Sequence, residues 1–292
     1  MKRYLDVLFF ALIASSTVLF AEEDERNVVR LSNLKPLDRG LLQINEDSYA
    51  HNRLSNFEVP ETVTSIKYGA FRGNSLTHVT IPENVFNIGG LAFANNQLRE
   101  VKLPKYTNFI GQGAFSDNIL QSIKLPSNLS TIEPATFANN CLSEITVPAS
   151  VTSIGGEAFF NNRLRSLNLP SGLKYIGDSA FASNSLTSVT IPSSVTYIGN
   201  NAFKDNKIGE IVLPAACRGL GRNIFDNNNL QKITIGQGVQ LSEATFGPAF
   251  YRYYLDGGRQ AGTYTINGGS WSRIPTDYFV PGLDDTKKRP CK

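Results

Sequence analysis

Two histidines and three cysteines are the side chains of this chain best suited to metal binding or nucleophilic catalysis. His51 and His78 lie outside metal or nucleophile motifs such as His-Glu-x-x-His. Cys141 has a polar sequence setting that would suit a reactive thiol, but no histidine in register is near enough to activate it. Cys217 fits an apolar position, and the odd cysteine count, completed by Cys291, predicts no disulfide framework. We therefore predict a protein that is not an enzyme and that uses no metal or cofactor.

The N-terminus predicts export from the cell. Lys2 and Arg3 precede a nearly apolar stretch over residues 7–20, which is typical of a signal peptide spanning residues 1–21. Cleavage is expected after Ala21, with an uncleaved anchor as the alternative. No later apolar run approaches the roughly 20 residues that span a bilayer, and a net charge of +3 is too small for a nucleic-acid-binding surface. The mature chain is expected in the periplasm, on the outer surface or secreted, with no membrane span and no nucleic-acid partner.

Three residue types recur with a period of 22 residues, which predicts a solenoid of coils that are too small to fold alone. The prolines stand at 60, 82, 104, 126, 148, 170, 192 and 214. The phenylalanines stand at 71, 93, 115, 137, 159, 181, 203 and 225, and the asparagines at 52, 74, 96, 118, 140, 162, 184, 206 and 228. The predicted fold class is therefore an α/β repeat solenoid.

One unit, residues 74–93, illustrates the elements that each coil should contain. Residues 76–81 are rich in β-branched side chains, and apolar and polar residues nearly alternate along them, which predicts a short strand. Each such strand should pair in parallel with its copy in the next coil, so one sheet would run the length of the array. Pro82 ends that strand because it lacks an N–H group. Its inward positions are Leu76, Val79, Ile81, Val85, Ile88, Ala92 and Phe93.

The other half of the coil should turn the chain back. Glycine recurs at 89, 111, 155, 177, 199 and 221, which indicates either positive φ or close backbone packing, although Lys67 and Glu133 interrupt the column. The Ala-Phe pairs that follow, such as Ala114 and Phe115, predict a single helical or 3₁₀ turn on the convex side.

The asparagine column suits a buried turn, because a side-chain amide both donates and accepts hydrogen bonds. We interpret it as a structural ladder that joins neighbouring coils rather than as a binding site. Its members are Asn74, Asn96, Asn118, Asn140, Asn162, Asn184 and Asn206.

The motif Asn-x-Leu-x-x-Val-x-Ile-Pro-x-x-Val-x-x-Ile-Gly-x-x-Ala-Phe, almost complete at residues 184–203, resembles the BspA-like, or treponemal, class of bacterial leucine-rich repeats. The resemblance covers residues 50–248 and implies a right-handed superhelix with one parallel β-sheet. That family commonly has a 23-residue unit with cysteine where this chain has asparagine, so the coil here should be slightly tighter and free of a cysteine ladder.

Atypical units are expected at both ends, because the terminal coils would otherwise expose the core. We predict a degenerate capping repeat over residues 22–51, the array of 22-residue units over 52–248, a β-hairpin or small meander as the C-terminal cap over 249–280, and a flexible tail over 281–292. In the cap, the Tyr-rich segment from Phe250 to Ile274 is interpreted as hairpin, and its aromatic residues as cap packing.

Two strips of exposed side chains are candidates for binding a protein partner. The sheet strip, on the outward face of the predicted sheet, is polar, and ordinary solvated sheet is the alternative interpretation. Its members are His78, Glu100, Lys102, Lys124 and Glu144. The aromatic strip occupies columns otherwise filled by Thr, Ser, Asn or Gly, and local covering of the loop face is the alternative. Its members are Phe86, Tyr106, Phe109, Tyr175 and Tyr197.

Two functions are compatible with these features. The resemblance implies an adhesin-like module that binds a protein ligand of the host matrix or of other cells. Three features of the sequence agree with it: the predicted export, the long rigid surface of a solenoid and the lack of catalytic motifs. The alternative is a structural component of the bacterial envelope that self-associates as a homo-oligomer and has no host ligand.

Overall fold

The computed structural model describes residues 22–23, 28–30, 42–267 and 270–274. The predicted signal peptide, most of the predicted N-terminal capping repeat before residue 42 and the predicted tail lie outside the described residues. Within the described ranges, no helix has the length and apolar character needed to cross a membrane.

Short strands dominate the described residues, and the two helices found among them lie near the C-terminal end of that part. The strands are β1 (Glu22–Glu23), β2 (Val28–Arg30), β3 (Leu42–Ile44), β4 (Asn56–Glu58), β5 (Val63–Ile66), β6 (His78–Thr80), β7 (Asn87–Ile88), β8 (Phe109–Ile110), β9 (Thr131–Ile132), β10 (Glu144–Thr146), β11 (Ser153–Ile154), β12 (Ser166–Asn168), β13 (Tyr175–Ile176), β14 (Tyr197–Ile198), β15 (Glu210–Leu213), β16 (Gly219–Leu220), β17 (Lys232–Ile235), β18 (Gly262–Asn267) and β19 (Ser270–Ile274). The helices are α1 (Glu243–Phe246) and α2 (Pro248–Asp256).

Successive coils stack so that equivalent residues lie beside each other, which confirms the repeat solenoid. Ser153 pairs with Tyr175 and Glu144 pairs with Ser166, in both cases 22 residues apart on parallel strands. The register extends to the first described coil, where Ile44 of β3 pairs with Ile66 of β5.

Each coil contributes to two rows of strands rather than to one sheet. The front row consists of β1, β2, β4, β6, β10, β12, β15 and β17, and it continues into β18 and β19. The side row consists of β3, β5, β7, β8, β9, β11, β13, β14 and β16.

The prediction of one continuous sheet is wrong, because the two rows form five short sheets. In the front row, residues 100–103, 122–125 and 188–190 form no strand. The periodic pattern specifies which side chains are buried, but a ladder also needs backbone N and O atoms about 3 Å apart. Burial alone does not impose that spacing on every coil.

The predicted helical or 3₁₀ turns are also absent, since residues 45–241 contain no helix. Each turn has two residues of positive φ four positions apart, as with Ala135 (53°) and Asn139 (55°). Such residues interrupt a right-handed helix. Between them the backbone bonds to the next coil instead, as when Phe115 N donates to Thr136 O at 2.9 Å.

The glycine column serves close packing rather than positive φ. A Cβ added to Gly111 would lie 2.4 Å from Gly90 N, and one added to Gly177 would lie 2.4 Å from Gly156 N. At these glycines the neighbouring backbones therefore approach too closely for a side chain, whereas the coils of Lys67 and Glu133 accommodate one in the same column.

The core is a row of stacked phenylalanine rings. Eight successive ring pairs from Phe71 to Phe246 have centroids 5.2–5.9 Å apart and planes within 14° of parallel. Tyr49 extends the row at the N-terminal end, 5.3 Å from Phe71. Phe246 stacks on Phe225 although it stands one residue short of the 22-residue register.

At the C-terminal end the structure contains the predicted hairpin but places a helix before it. β18 pairs antiparallel with β17, and β19 pairs antiparallel with β18. The expectation that strand structure begins at Phe250 is wrong, because α2 covers that residue. Pro248 occupies the first turn, where a missing N–H costs little, and Phe250 and Tyr254 are buried four residues apart on one helical face.

Candidate functional site

The seven ladder asparagines are buried and bond to the backbone of adjacent coils. Asn140 is representative: its Oδ1 accepts from Leu120 N at 3.0 Å, and its Nδ2 donates to Phe115 O at 2.9 Å and Phe137 O at 3.2 Å. These amides therefore hold the scaffold and are not available to a partner.

The thiols and imidazoles are dispersed. Cys217 is fully buried, and burial raises the pKa of its thiol to about 11, while Cys141 is half-buried. His78 is exposed, with Nδ1 3.0 Å from Thr77 Oγ1. Among the described residues, no three His, Cys, Asp or Glu side chains are grouped as metal ligands.

All five members of the sheet strip are exposed on the front row. Lys102 Nζ lies 3.2 Å from Glu83 Oε1, and Lys105 N donates to Glu83 Oε2 at 2.9 Å. These contacts, with the backbone hydrogen bond first, hold the pKa of Glu83 below its ordinary value. Such exposed ion pairs contribute little to stability or affinity.

Two shallow depressions mark the sheet strip. One of about 440 Å³ lies where the front row is interrupted, and it brings together Lys124 and Glu144 above Ile123 and Ile145. A smaller one of about 140 Å³ lies beside His78. Both depressions are open to solvent, and the five side chains of the strip include none of the Trp, Tyr and Arg side chains that dominate tight interfaces.

The aromatic strip lies along the side row and its adjoining loops. Phe86, Tyr106 and Phe109 are 42, 53 and 42% exposed. Phe86 and Phe109 lie on adjoining coils, since Phe109 N donates to Phe86 O at 3.4 Å. Lys105 Nζ lies 5.2 Å from the ring centroid of Tyr106, within the range of a cation–π contact.

The other two members form a stacked pair farther along the side row. The rings of Tyr175 and Tyr197 have centroids 4.9 Å apart and planes 3° from parallel. Tyr175 is 39% exposed, whereas Tyr197 is half-buried because it lies between Tyr175 and the backbone of Gly219.

Tyr68, which was not predicted from the sequence, is 46% exposed just after β5 and extends the aromatic strip toward the N-terminus. Its ring packs beside Gly90 of the next coil. The equivalent positions hold Gly90, Gln112 and Gly156, so an aromatic residue in a column of polar residues and glycine was the available signal.

Five of the eight large hydrophobic side chains found exposed in the described part of the chain therefore belong to this one side: Tyr68, Phe86, Tyr106, Phe109 and Tyr175. A surface with a concentration of exposed rings is suited to recognition.

Comparison with solved structures shows the same fold. A leucine-rich repeat protein from Bacteroides ovatus ATCC 8483 aligns with a TM-score of 0.58 and 21% identity, over 75% of this chain and 70% of that chain. One from Eubacterium ventriosum ATCC 27560 aligns with a TM-score of 0.51, 21% identity and the same coverage. No curated protein sequence matches this chain.

The family model of the BspA type leucine rich repeat region matches six copies of its repeat over residues 42–163 and 130–248. Together these matches cover more than two thirds of the 292 residues, and they coincide with the coils that stack on the phenylalanine row. The chain therefore belongs to the BspA-type leucine-rich repeat family.

Proposed function

We propose that the protein is an exported, non-catalytic binding module that recognises a protein ligand of the host matrix or of other cells through the part of its aromatic strip formed by Phe86, Tyr106 and Phe109. The observation that carries the proposal is the concentration of exposed rings at Phe86, Tyr106 and Phe109 on adjoining coils. The signal-peptide pattern of residues 1–21 supports export, and leucine-rich repeats are typically protein-interaction modules.

The aromatic strip is favoured over the sheet strip on energetic grounds. Burying exposed aromatic surface gains roughly 25 cal/mol per Å², and aromatic side chains are enriched among interface residues that dominate affinity. The charged side chains of the sheet strip, such as Lys102 and Glu144, would first have to lose water.

The test compares two double variants of residues 22–292 for binding to a panel of immobilised extracellular-matrix proteins. The first variant combines Phe86→Ser with Phe109→Ser. Serine already occupies the equivalent positions of other coils, Ser130 for Phe86 and Ser153 for Phe109, so the fold should tolerate both changes. Lys102→Thr with Lys124→Thr is the matched control, since Thr80 and Thr146 stand in that column. We expect the first variant to lose at least about tenfold in affinity, equal to 1.4 kcal/mol, and the control to bind normally. Unchanged binding by the first variant contradicts the proposal.

Light scattering on the same proteins separates the alternative of a self-associating envelope scaffold. That alternative predicts a wild-type oligomer that the Phe86 and Phe109 substitutions dissociate. Protease treatment of intact producing cells tests where the protein lies. Digestion of the protein without cell lysis supports a role on the outer surface, and resistance to the protease supports the scaffold.

A further inference from the structure

We propose that the Tyr175–Tyr197 pair and the cations beside it form a second site, which binds an anionic polysaccharide carrying carboxylate groups. This ligand belongs to a different chemical class from the protein ligand proposed above. The site also lies on different coils from Phe86 and Phe109, so each proposal can fail without the other.

The paired rings form a platform with one open face. Tyr197 is covered on one side by Tyr175 and lies against Gly219 on the other, where an added Cβ would be only 2.5 Å from its ring. Tyr175 is stacked on Tyr197 through one face, and its strand neighbour on the other side is Ser153. A serine is too short to cover a tyrosine ring, so this face of Tyr175 remains open along the array.

The fold does not require these rings. The same side-row column holds Thr131, Ser153 and Gly219 in other coils, and those coils keep the same pairing. The asparagine ladder and the phenylalanine row also continue without interruption through the coils that carry the two tyrosines. The tyrosines are therefore additions to the surface rather than parts of the core.

A cationic column borders the platform. Thr152, Lys174, Thr196 and Arg218 occupy equivalent positions on four successive coils, each immediately before the side-row column, and all four are exposed. Within the described ranges the ion pairs are those of Lys102, Lys204 and Lys232, so no described carboxylate neutralises Lys174 or Arg218.

One carboxylate, Asp178, interacts electrostatically with Tyr175 and keeps its negative charge, so the two cations of the column and this one acid leave a single net positive charge around the platform. Asp178 accepts from Asn200 N at 2.8 Å and from Asn200 Nδ2 at 3.2 Å.

The Thr152 and Thr196 hydroxyls donate to Ser130 O and Lys174 O, at 3.4 and 3.2 Å, which leaves their oxygens as acceptors. The surface therefore offers one open aromatic face, two acceptor oxygens and two unpaired cations.

An acidic polysaccharide matches each of these groups. A sugar ring presents an apolar C–H face that can pack on an aromatic ring, and the hydroxyls at its edge can donate to the oxygens of Thr152 and Thr196. Lys174 and Arg218 stand two coils apart, about 10 Å at the usual strand spacing. That is comparable with the separation of successive carboxylates in a chain where every second sugar is a uronate. A neutral glycan would leave the cations unused, and a simple polyanion would leave the platform unused.

The test measures binding of hyaluronan oligosaccharides and polygalacturonate to residues 22–292 by titration calorimetry, with dextran as the neutral probe. Tyr175→Ser with Tyr197→Ser removes the platform, and Lys174→Thr with Arg218→Thr removes the charge. Both variants use residues found in the same columns. Phe86→Ser with Phe109→Ser is the control, and circular dichroism verifies folding of every protein.

We expect the wild type to bind at least one uronate polymer and not dextran, with affinity falling as salt rises. Each site variant should lose at least about tenfold in affinity, while the control binds normally. Absence of uronate binding overturns the proposal, and so does equal binding of dextran. Binding that persists in the tyrosine variant overturns it as well, because charge alone would then explain the interaction.

Discussion

At the level of single residues, each coil has one buried asparagine side chain. Its amide forms hydrogen bonds with backbone N–H and C=O groups that the turn leaves unpaired. In each case the oxygen accepts from one coil and the nitrogen donates to carbonyls of two, as Asn96 does with Leu76 N, Phe71 O and Phe93 O. The ladder thus couples neighbouring coils through hydrogen bonds that are shielded from water.

Replacing one of these amides should destabilise the fold. Asn140→Leu would leave Leu120 N buried without an acceptor, and Phe115 O would keep only its longer bond from Asn118 Nδ2 at 3.2 Å. We expect a cost of about 1–3 kcal/mol. Denaturant unfolding of the variant measures this loss. Asn128→Leu, at an exposed position outside the ladder, is the control and should change stability little. An unchanged midpoint for Asn140→Leu would refute the structural role.

The turns predict a stabilising substitution. Ala135 has a φ of 53°, a conformation that costs an L-residue roughly 1–2 kcal/mol. Ala135→Gly relieves that cost but increases the entropy of the unfolded chain, so we expect a net gain of about 0.5–1 kcal/mol. Ala149→Gly, where φ is not positive, should instead destabilise the protein. Loss of stability in both variants, measured by thermal unfolding, would contradict the turn geometry.

The role of a residue was predictable from the sequence where the same residue type recurs at the same position of each coil. The asparagine and phenylalanine columns occur in nearly every coil, so their burial follows from the pattern. Tyr68 was missed because it occurs once in its column, and a periodic argument discounts single departures. Features that occur once are also those that distinguish this chain from other solenoids.

At the level of elements, the C-terminal helix and hairpin close the phenylalanine row. Phe250 contacts Phe246 at 5.4 Å, Tyr264 at 5.3 Å and Trp271 at 4.8 Å between ring centroids. Tyr264 is fully buried, and its hydroxyl donates to Gln260 O. The open end of the solenoid is thereby covered by aromatic side chains.

Tyr264→Ala should therefore open the cap. Truncating a fully buried aromatic residue costs about 3–5 kcal/mol, and hydrogen exchange should accelerate first in β17 and β18, which pair beside it. Arg252→Ala, on the exposed side of α2, is the control and should leave exchange unchanged. Uniform acceleration along the whole array would contradict a local cap.

The elements themselves were predicted unevenly, for physical reasons. Strand positions in the repeat follow from alternation of apolar and polar residues. The division into two rows occurs at the turn after each column proline, where Val85 N donates to Pro82 O at 3.0 Å, and side-chain periodicity does not specify that turn. Helix α2 was missed because a Tyr-rich segment favours strand by propensity. The spacing of Phe250 and Tyr254, four residues apart, was the helical signal.

At the level of the whole molecule, each coil contacts mainly its neighbours, so recognition depends on which side chains interrupt the repeat. The sequence predicted both candidate strips by position, and the structure places the aromatic strip along a row of strands that the sequence did not predict. The sequence did not favour one strip over the other, because a period shows which columns are exposed but not how exposed rings from different coils combine.

Distances between spin labels test the stacked-coil account most directly. Cysteines would be placed in pairs at His78 and Ser166, His78 and Ser188, and His78 and Glu210, all exposed in one front column, after replacement of the native cysteines. Four, five and six coil steps predict separations of about 19, 24 and 29 Å, which rise by one strand spacing per 22 residues. Separations that do not increase in equal steps would contradict a solenoid.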